Sequence, residues 1–389
     1  MYSYLCLNTI EPTALEALGT NFVPTDELSH ANVVLVRSAD MGLTVLPPSL
    51  LCIARAGVGT NNIPINRASE QGVVVFNAPG ANANAVAELV IAGLLMSKRN
   101  LFSAATWVTQ IVSESNALAE NKSLEQVIES AKSTFIGHEI TGQVLGVVGL
   151  GAIGVLVANK AVALGMRVLG YTHSDIPSTL SSRVEVITNL DELLANVDVL
   201  SLHVPATPAN HHLLSKKRMA CLKPGCTIVN FARAELVDEG VLAQVLKTGQ
   251  VGAYVSDFPN ATSIQMPNAL LLPHLGASTY EATAACAHIA VQRVKNYLLN
   301  GCIEQSVNFG TVDLGPRNGA SRMGIFYANQ GEDQKIIQCL CNADVQIGRT
   351  AASFNQTGYV LIEAQGNLRA QLGVIMRMSG VIRARIIDE

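Results

Sequence analysis

Short runs of consecutive apolar residues recur along the chain, separated by longer stretches in which apolar and polar positions mix at helical spacing. A strand covered on both faces reads as a near-continuous apolar run, and a crossover helix supplies the longer mixed stretch. Residues 33–37, 51–55 and 73–77 are such runs, so the first part of the chain predicts a small β-α-β lobe. Residues 83–98 are helix formers almost throughout, with an interior too apolar for a surface helix, and residues 113–133 are polar. A second series of runs covers 144–148, 168–171, 199–204, 227–231, 253–257 and 270–273. Ser278 followed by Glu281 has capping-box spacing and predicts a helix reaching about Leu299 that returns to the first lobe. Residues 313–320 are rich in Gly, Pro, Asn and Asp and read as a linker. Runs at 323–328, 332–341, 345–353, 357–364, 368–377 and 381–387 then alternate as β-α-β-β-α-β.

The fold class is therefore α/β: two Rossmann-like doubly wound lobes plus a small ferredoxin-like α+β domain. The boundaries expected are 1–97 with 284–308 for the first lobe, 98–283 for the second, 309–320 for the linker and 321–389 for the last domain. A chain that crosses twice between lobes is expected to leave a cleft where a cofactor and a small substrate meet. With 389 residues, 49% apolar and 14% charged, the chain has material for several cores. A net charge of -4, without a Lys/Arg cluster, excludes a nucleic-acid role. The least polar stretch, 144–158, is too short to span a bilayer, and the first ten residues do not read as a secretion signal. Eight cysteines without a CxxC pair signal neither zinc nor a disulfide framework, so a cytoplasmic location without a bound metal is expected.

Chemistry enters at Gly149-Leu150-Gly151-Ala152-Ile153-Gly154, where the run 144–148 gives way to a helical run over 155–164. In that context the first glycine makes the turn and the second admits a pyrophosphate. The third packs helix on strand, leaving helix amides facing the anion. Arg233 and His274 follow predicted strands, and strand carboxyl ends form the ligand crevice of such sheets. Histidine can take a hydroxyl proton and arginine can fork onto a carboxylate, which suits oxidation of a 2-hydroxy acid. Taken singly, each is also readable as a surface charge or a turn cap. His203, followed by Val204 and Pro205, ends another run and is a wall of the same site.

These blocks resemble the D-isomer-specific 2-hydroxyacid dehydrogenases, most of all the branch acting on 3-phosphoglycerate. Residues 55–63 (Arg55-Ala56-Gly57-Val58-Gly59-Thr60-Asn61-Asn62-Ile63) resemble the family's substrate loop, and 76–84 its interlobe segment. The tail ending at 380–387 is similar to an ACT regulatory domain. The resemblance implies an NAD-linked dehydrogenase, with His274 as acid/base and Arg233 on the substrate carboxylate and reacting oxygen. Arg37 and Arg55 would hold the carboxylate or phosphate, with Gly57, Asn77 and Asn82 beside them. Cofactor contacts would come from Gly149, Gly151, Ala152, Ile153, Gly154, Thr172, His203, Val204, Pro205, Phe231, Ala232, Asp257, Gly276 and Ala277. A homo-oligomer and a small-molecule effector at the ACT-like domain are the partners it implies.

The chain departs from that pattern in four places. The glutamate that pairs with the catalytic histidine is missing, and Asp257 is the one carboxylate between Glu239 and His274, so it is the candidate partner. Thr172 stands where a carboxylate would bind the adenosine ribose, and no arginine nearby argues for NADP. Ala234 replaces a glycine after Arg233, which matters only where φ is positive. Residues 327–331, Tyr-Ala-Asn-Gln-Gly, lack the histidine and proline of the family's serine site. The competing readings are a dehydrogenase of another 2-hydroxy acid (glyoxylate, hydroxypyruvate or lactate) and a non-catalytic NAD-sensing protein.

Overall fold

The structure is a computed structural model that describes residues 1–113, 123–317, 319, 321–343, 345–366 and 368–388. Of the polar stretch 113–133, residues 114–122 lie outside the described residues, as do 318 and 320 of the expected linker. The chain divides into two compact units, one of Met1–Asn82 with Tyr280–Glu389 and one of Ala83–Thr279.

The first unit contains a five-stranded parallel sheet in the order Phe22–Pro24, Tyr2–Cys6, Val33–Val36, Cys52–Arg55, Val74–Phe76. Helix Tyr280–Asn300 lays Cys286, Ala290, Val294 and Tyr297 into one core with Val33, Leu35, Cys52 and Ala54 of this sheet. The order reverses between Tyr2–Cys6 and Val33–Val36, which makes their carboxyl ends the topological switch point of this lobe.

The second unit is built on a seven-stranded sheet in the order Ala269–Leu271, Val251–Ser256, Cys226–Asn230, Val199–Leu202, Val144–Val148, Arg167–Tyr171, Val184–Val186. Every pairing in it is parallel. Its switch point lies between Val144–Val148 and Val199–Leu202, directly before Gly149 and His203. Helix Ala83–Lys98, expected to pack between the lobes and placed by the sequence boundaries in the first, belongs to this unit, where Val86, Ala87, Val90 and Leu94 join the core of Val147, Val229 and Val255.

The C-terminal sheet is antiparallel, in the order Gln346–Phe354, Gly358–Gln365, Ser321–Tyr327, Val381–Ile387. Alternate side chains point to opposite faces of a strand. Met323, Ile325, Val360 and Ile362 pack with Ile336, Leu340, Leu368 and Ile375 of the helices Glu332–Cys341 and Leu368–Ile375. Phe326, Tyr359, Leu361 and Ile387 from the other face instead enter the core of the first lobe beside Phe76 and Tyr297. The Gly/Pro-rich segment before this sheet is packed as well: Phe309 and Val312 are buried, and Ile303 exchanges both backbone bonds with Val312 at 2.8 Å.

Candidate active site

The glycine turn of the second unit sits at its switch point. Gly149 has φ +97°, donates its amide to the Tyr171 carbonyl at 2.8 Å, and a Cβ there would lie 2.5 Å from the carbonyl oxygen of His203. A Cβ on Gly154 would stand 1.9 Å from the carbonyl oxygen of Gly149, so helix and turn meet backbone to backbone. Gly151 differs: it precedes helix Ala152–Ala163 as an N-cap without a side-chain cap, and a Cβ on it would meet nothing within 4 Å. Uncapped amides of Ala152 and Ile153 at a helix start, beside open space, fit a dinucleotide pyrophosphate.

Around the turn, the His203 amide bonds the Val148 carbonyl and its Nε2 pairs with Ser201 Oγ at 2.8 Å. Burial pushes the His203 imidazole down to about 4, so it faces the turn uncharged at neutral pH. Val204 and Pro205 follow it. On the other side Thr172 is half-buried, accepting the Ser174 amide on Oγ1 at 3.1 Å, and the Tyr171 hydroxyl pairs with His173 Nε2 at 2.8 Å.

Three strand ends of this unit bring the reactive candidates together. Asn230, fully buried at the end of Cys226–Asn230, accepts the amides of Ala232 and Arg233 on Oδ1 and donates Nδ2 to the Arg233 carbonyl. That side chain folds the chain back so that Arg233 is extended, with Nη1 on the Ala232 carbonyl at 2.7 Å. Phe231 is buried close to Gly93, where a Cβ would approach its ring to 3.1 Å. Ala234 opens the 3₁₀ turn Ala234–Leu236 and is absent from the positive-φ residues, so the replacement of glycine there carries no backbone strain.

His274 has φ +42°, an uncommon conformation for a residue with a Cβ, and its amide is held by the carbonyls of Asp257 at 2.9 Å and Leu272 at 3.1 Å. Strain of this kind persists where the surroundings over-determine it, and it clusters at functional sites. The Phe258 ring contacts both candidates, 4.8 Å from the His274 ring by centroid and 5.6 Å from Arg233 Cζ. Asp257 is 1% exposed; its Oδ2 accepts the Gly276 amide at 2.8 Å, and its Oδ1 has no partner. Burial pushes the Asp257 carboxyl up, opposed by the Gly276 bond and then by His274 and Arg233. Ala277 follows Gly276 on the same turn. The sequence alone did not single out Phe258 or Asn230; an aromatic next to the one local carboxylate and an Asn three residues before the arginine were the available signals.

In the first unit Arg37 and Arg55 end adjacent parallel strands. Arg37 is exposed, whereas Arg55 donates Nε to the Arg37 carbonyl at 3.0 Å and Nη1 to the Gly59 carbonyl. Gly57 lies beside that guanidinium, where a Cβ would make ordinary contact with Arg55 Cζ at 3.4 Å. Asn77 donates Nδ2 to the Val58 carbonyl at 2.6 Å and accepts Arg293 on its own carbonyl, and Asn82 is half-buried.

Among known proteins, the family described as D-isomer specific 2-hydroxyacid dehydrogenase, NAD binding domain, matches residues 104–276. A D-3-phosphoglycerate dehydrogenase of Haemophilus influenzae is 34% identical over 385 residues, covering 94% of this chain and 86% of that one. One from Methanocaldococcus jannaschii is 33% identical over 298 residues, covering 74% of this chain and 53% of its own length, so the chain spans about half of that relative. Among solved structures, a glyoxylate reductase from Paecilomyes thermophila superposes with a TM-score of 0.65 at 26% identity, over 79% of this chain and 98% of that one. An NAD+-bound 3-phosphoglycerate dehydrogenase of Entamoeba histolytica shares the fold, with a TM-score of 0.62 at 22% identity, over 79% and 98%.

Proposed function

The chain belongs to the D-isomer-specific 2-hydroxyacid dehydrogenases, and from that premise we propose that it is an NAD-dependent D-3-phosphoglycerate dehydrogenase. It oxidises 3-phospho-D-glycerate to 3-phosphohydroxypyruvate, the first step of serine synthesis. The observation that carries this reading is that Arg233 and His274 both contact one Phe258 ring, after strand carboxyl ends of the sheet that also holds the glycine turn.

When bound, NAD accepts the hydride that leaves the substrate's C2. The protein's own part is acid–base and electrostatic. His274 takes the hydroxyl proton as the carbonyl forms, and its fixed amide sets where the ring stands. Arg233 forks onto the carboxylate and polarises the reacting oxygen. Asp257 serves in place of the missing glutamate or turns its unpartnered Oδ1 to the nicotinamide side; its burial next to a cation-forming histidine suits either task. Arg37 is the residue read as taking the substrate's anionic group, and Arg55, with two donors on backbone carbonyls, sets the loop beside it.

The chain is further read as a homo-oligomer, because Leu101, Phe102 and Val108 of helix Leu101–Ser113, with Leu124, Ile128 and Ile136, expose apolar surface. Among the described residues no helix is long and apolar enough to cross a membrane, and a cytoplasmic enzyme is the reading adopted. For the ACT-like sheet, packing of one face into the first lobe favours a structural role over a small-molecule effector site.

The test is turnover on a panel of 3-phosphoglycerate, D-glycerate, glyoxylate and D-lactate with NAD and NADP, or the corresponding keto acids with reduced cofactor. The phosphorylated pair with NAD is expected to give the highest kcat/KM, and His274→Ala to lower kcat by on the order of 10²- to 10⁴-fold. Equal efficiency on unphosphorylated acids would replace the substrate assignment, and no hydride transfer to any of them would leave a binding protein.

A further inference from the structure

The loop that carries Arg37 leaves strand Val33–Val36 at the switch point of the first sheet, and the neighbouring strand Tyr2–Cys6 delivers Asn8 to the same place. Asn8 Oδ1 accepts three consecutive backbone amides of that loop: Arg37 at 3.0 Å, Ser38 at 2.9 Å and Ala39 at 2.9 Å. Successive amides converging on one point form a nest of the kind that ordinarily takes an anion. Here the nest is filled by a neutral side-chain oxygen.

The loop is held from its other side too. Asn62 donates Nδ2 to the Ala39 carbonyl at 2.8 Å, the Met41 amide donates to the Asn62 carbonyl at 2.9 Å, and Arg55 Nε takes the Arg37 carbonyl. Ala39 and Met41 pack into the core of this lobe, and beyond them the chain runs out to Leu43 and Val45, 95% and 81% exposed. Arg37 and Ser38 themselves are exposed, so the backbone of residues 37–39 is directed chiefly by hydrogen bonds, and Asn8 supplies one to each of the three amides.

We propose that Asn8 is a positioning residue for substrate: by filling the amide nest of residues 37–39 it sets the direction of the Arg37 guanidinium toward the substrate's anionic group. This rests on the reading of Arg37 as a substrate-binding residue. Asn8 itself touches neither substrate nor cofactor. Without it, three amides lose their acceptor and the nest opens to solvent anions.

Steady-state kinetics of the full chain with 3-phosphoglycerate and NAD test the proposal. Asn8→Ala is expected to raise KM for 3-phosphoglycerate about five- to tenfold with kcat within about twofold, the signature of lost binding that is shared by ground and transition states. Inorganic phosphate, weak against the parent enzyme, should inhibit Asn8→Ala more strongly because the vacated nest accepts it. Asn8→Asp, which keeps an oxygen for the three amides, should restore most of the KM and abolish the added phosphate inhibition. Arg37→Ala serves as the control. If Arg37→Ala raises KM and Asn8→Ala does not, the proposal fails while the role of Arg37 stands; if Arg37→Ala leaves KM unchanged, the underlying reading fails. A fall in kcat and melting temperature in both Asn8 variants, without recovery in Asn8→Asp, assigns the residue to folding alone and overturns the proposal.

Discussion

At the scale of single residues, two groups of the second unit are ionised less readily than in water, and they answer pH differently. His203 is held uncharged beside the glycine turn, at about 4 against an ordinary 6.5. Its folded value is depressed, so the unfolded chain binds the proton first as pH falls, and the stability tied to the neutral imidazole is complete above about 6.5 and is lost progressively toward about 4. Urea midpoints of the parent should fall across that window, and His203→Gln, which cannot titrate, should show a flatter profile there. A parent and variant with parallel profiles between pH 6.5 and 4 would show that the imidazole is not buried in solution. Asp257 is the counterpart: a buried carboxyl raised by desolvation, with one oxygen unspent and with His274 and Arg233 near enough to oppose that rise.

At the scale of elements, the three glycines of the turn do three different jobs, and substitution separates them. Gly154→Ala forces a Cβ to within 1.9 Å of a backbone oxygen and should cost about 1–3 kcal/mol of stability through displaced helix packing. Gly151→Ala meets open space, so its fold should be unaffected while NADH affinity, followed by fluorescence titration, falls at least about tenfold as the methyl occupies the pyrophosphate's approach. Equal NADH affinity in Gly151→Ala and parent would place the dinucleotide elsewhere. This division was legible in the sequence because it is local: spacing, the apolar run 144–148 and the helical run after it lie within about twenty residues. The strand ends bearing Arg233 and His274 were legible for the same reason. Phe258 was not: an aromatic next to Asp257 is the one local signal, and its contact with both side chains depends on residues 25 and 16 positions away along the chain. Asn8 was hidden likewise, 29 residues from the amides it collects.

At the scale of the whole chain, the last seventy residues read as a module on a tether, yet they pack as part of the first unit. A Gly/Pro-rich composition signals turns, and it does not say whether the turns are free. Here the carbonyls of Leu314, Gly315 and Pro316 all end on Arg322, a fully buried guanidinium that also takes the Asn300 carbonyl at 2.8 Å and pairs with Glu363 at 2.7 Å. Arg385 stacks 4.3 Å over the Tyr297 ring and donates to the carbonyls of Tyr297 and Leu298, and the Tyr359 hydroxyl donates to Gly301. The final turn of helix Tyr280–Asn300, whose carbonyls lack helical partners, is thus capped by side chains of the C-terminal sheet. A buried guanidinium with its acceptors is costly to remove: Arg322→Met should destabilise the first unit by about 3 kcal/mol, because it takes the donor from the carbonyls of Asn300, Gly315 and Pro316 while Glu363 keeps Arg349. Hydrogen exchange gives the decisive measurement. If sheet and lobe unfold as one, amides of helix Tyr280–Asn300 and strand Ser321–Tyr327 should lose protection in Arg322→Met by the same free energy. Loss confined to the strand, with the helix still protected as in the parent, would mean that the C-terminal sheet opens by itself and could respond to an effector without disturbing the lobe that holds Arg37.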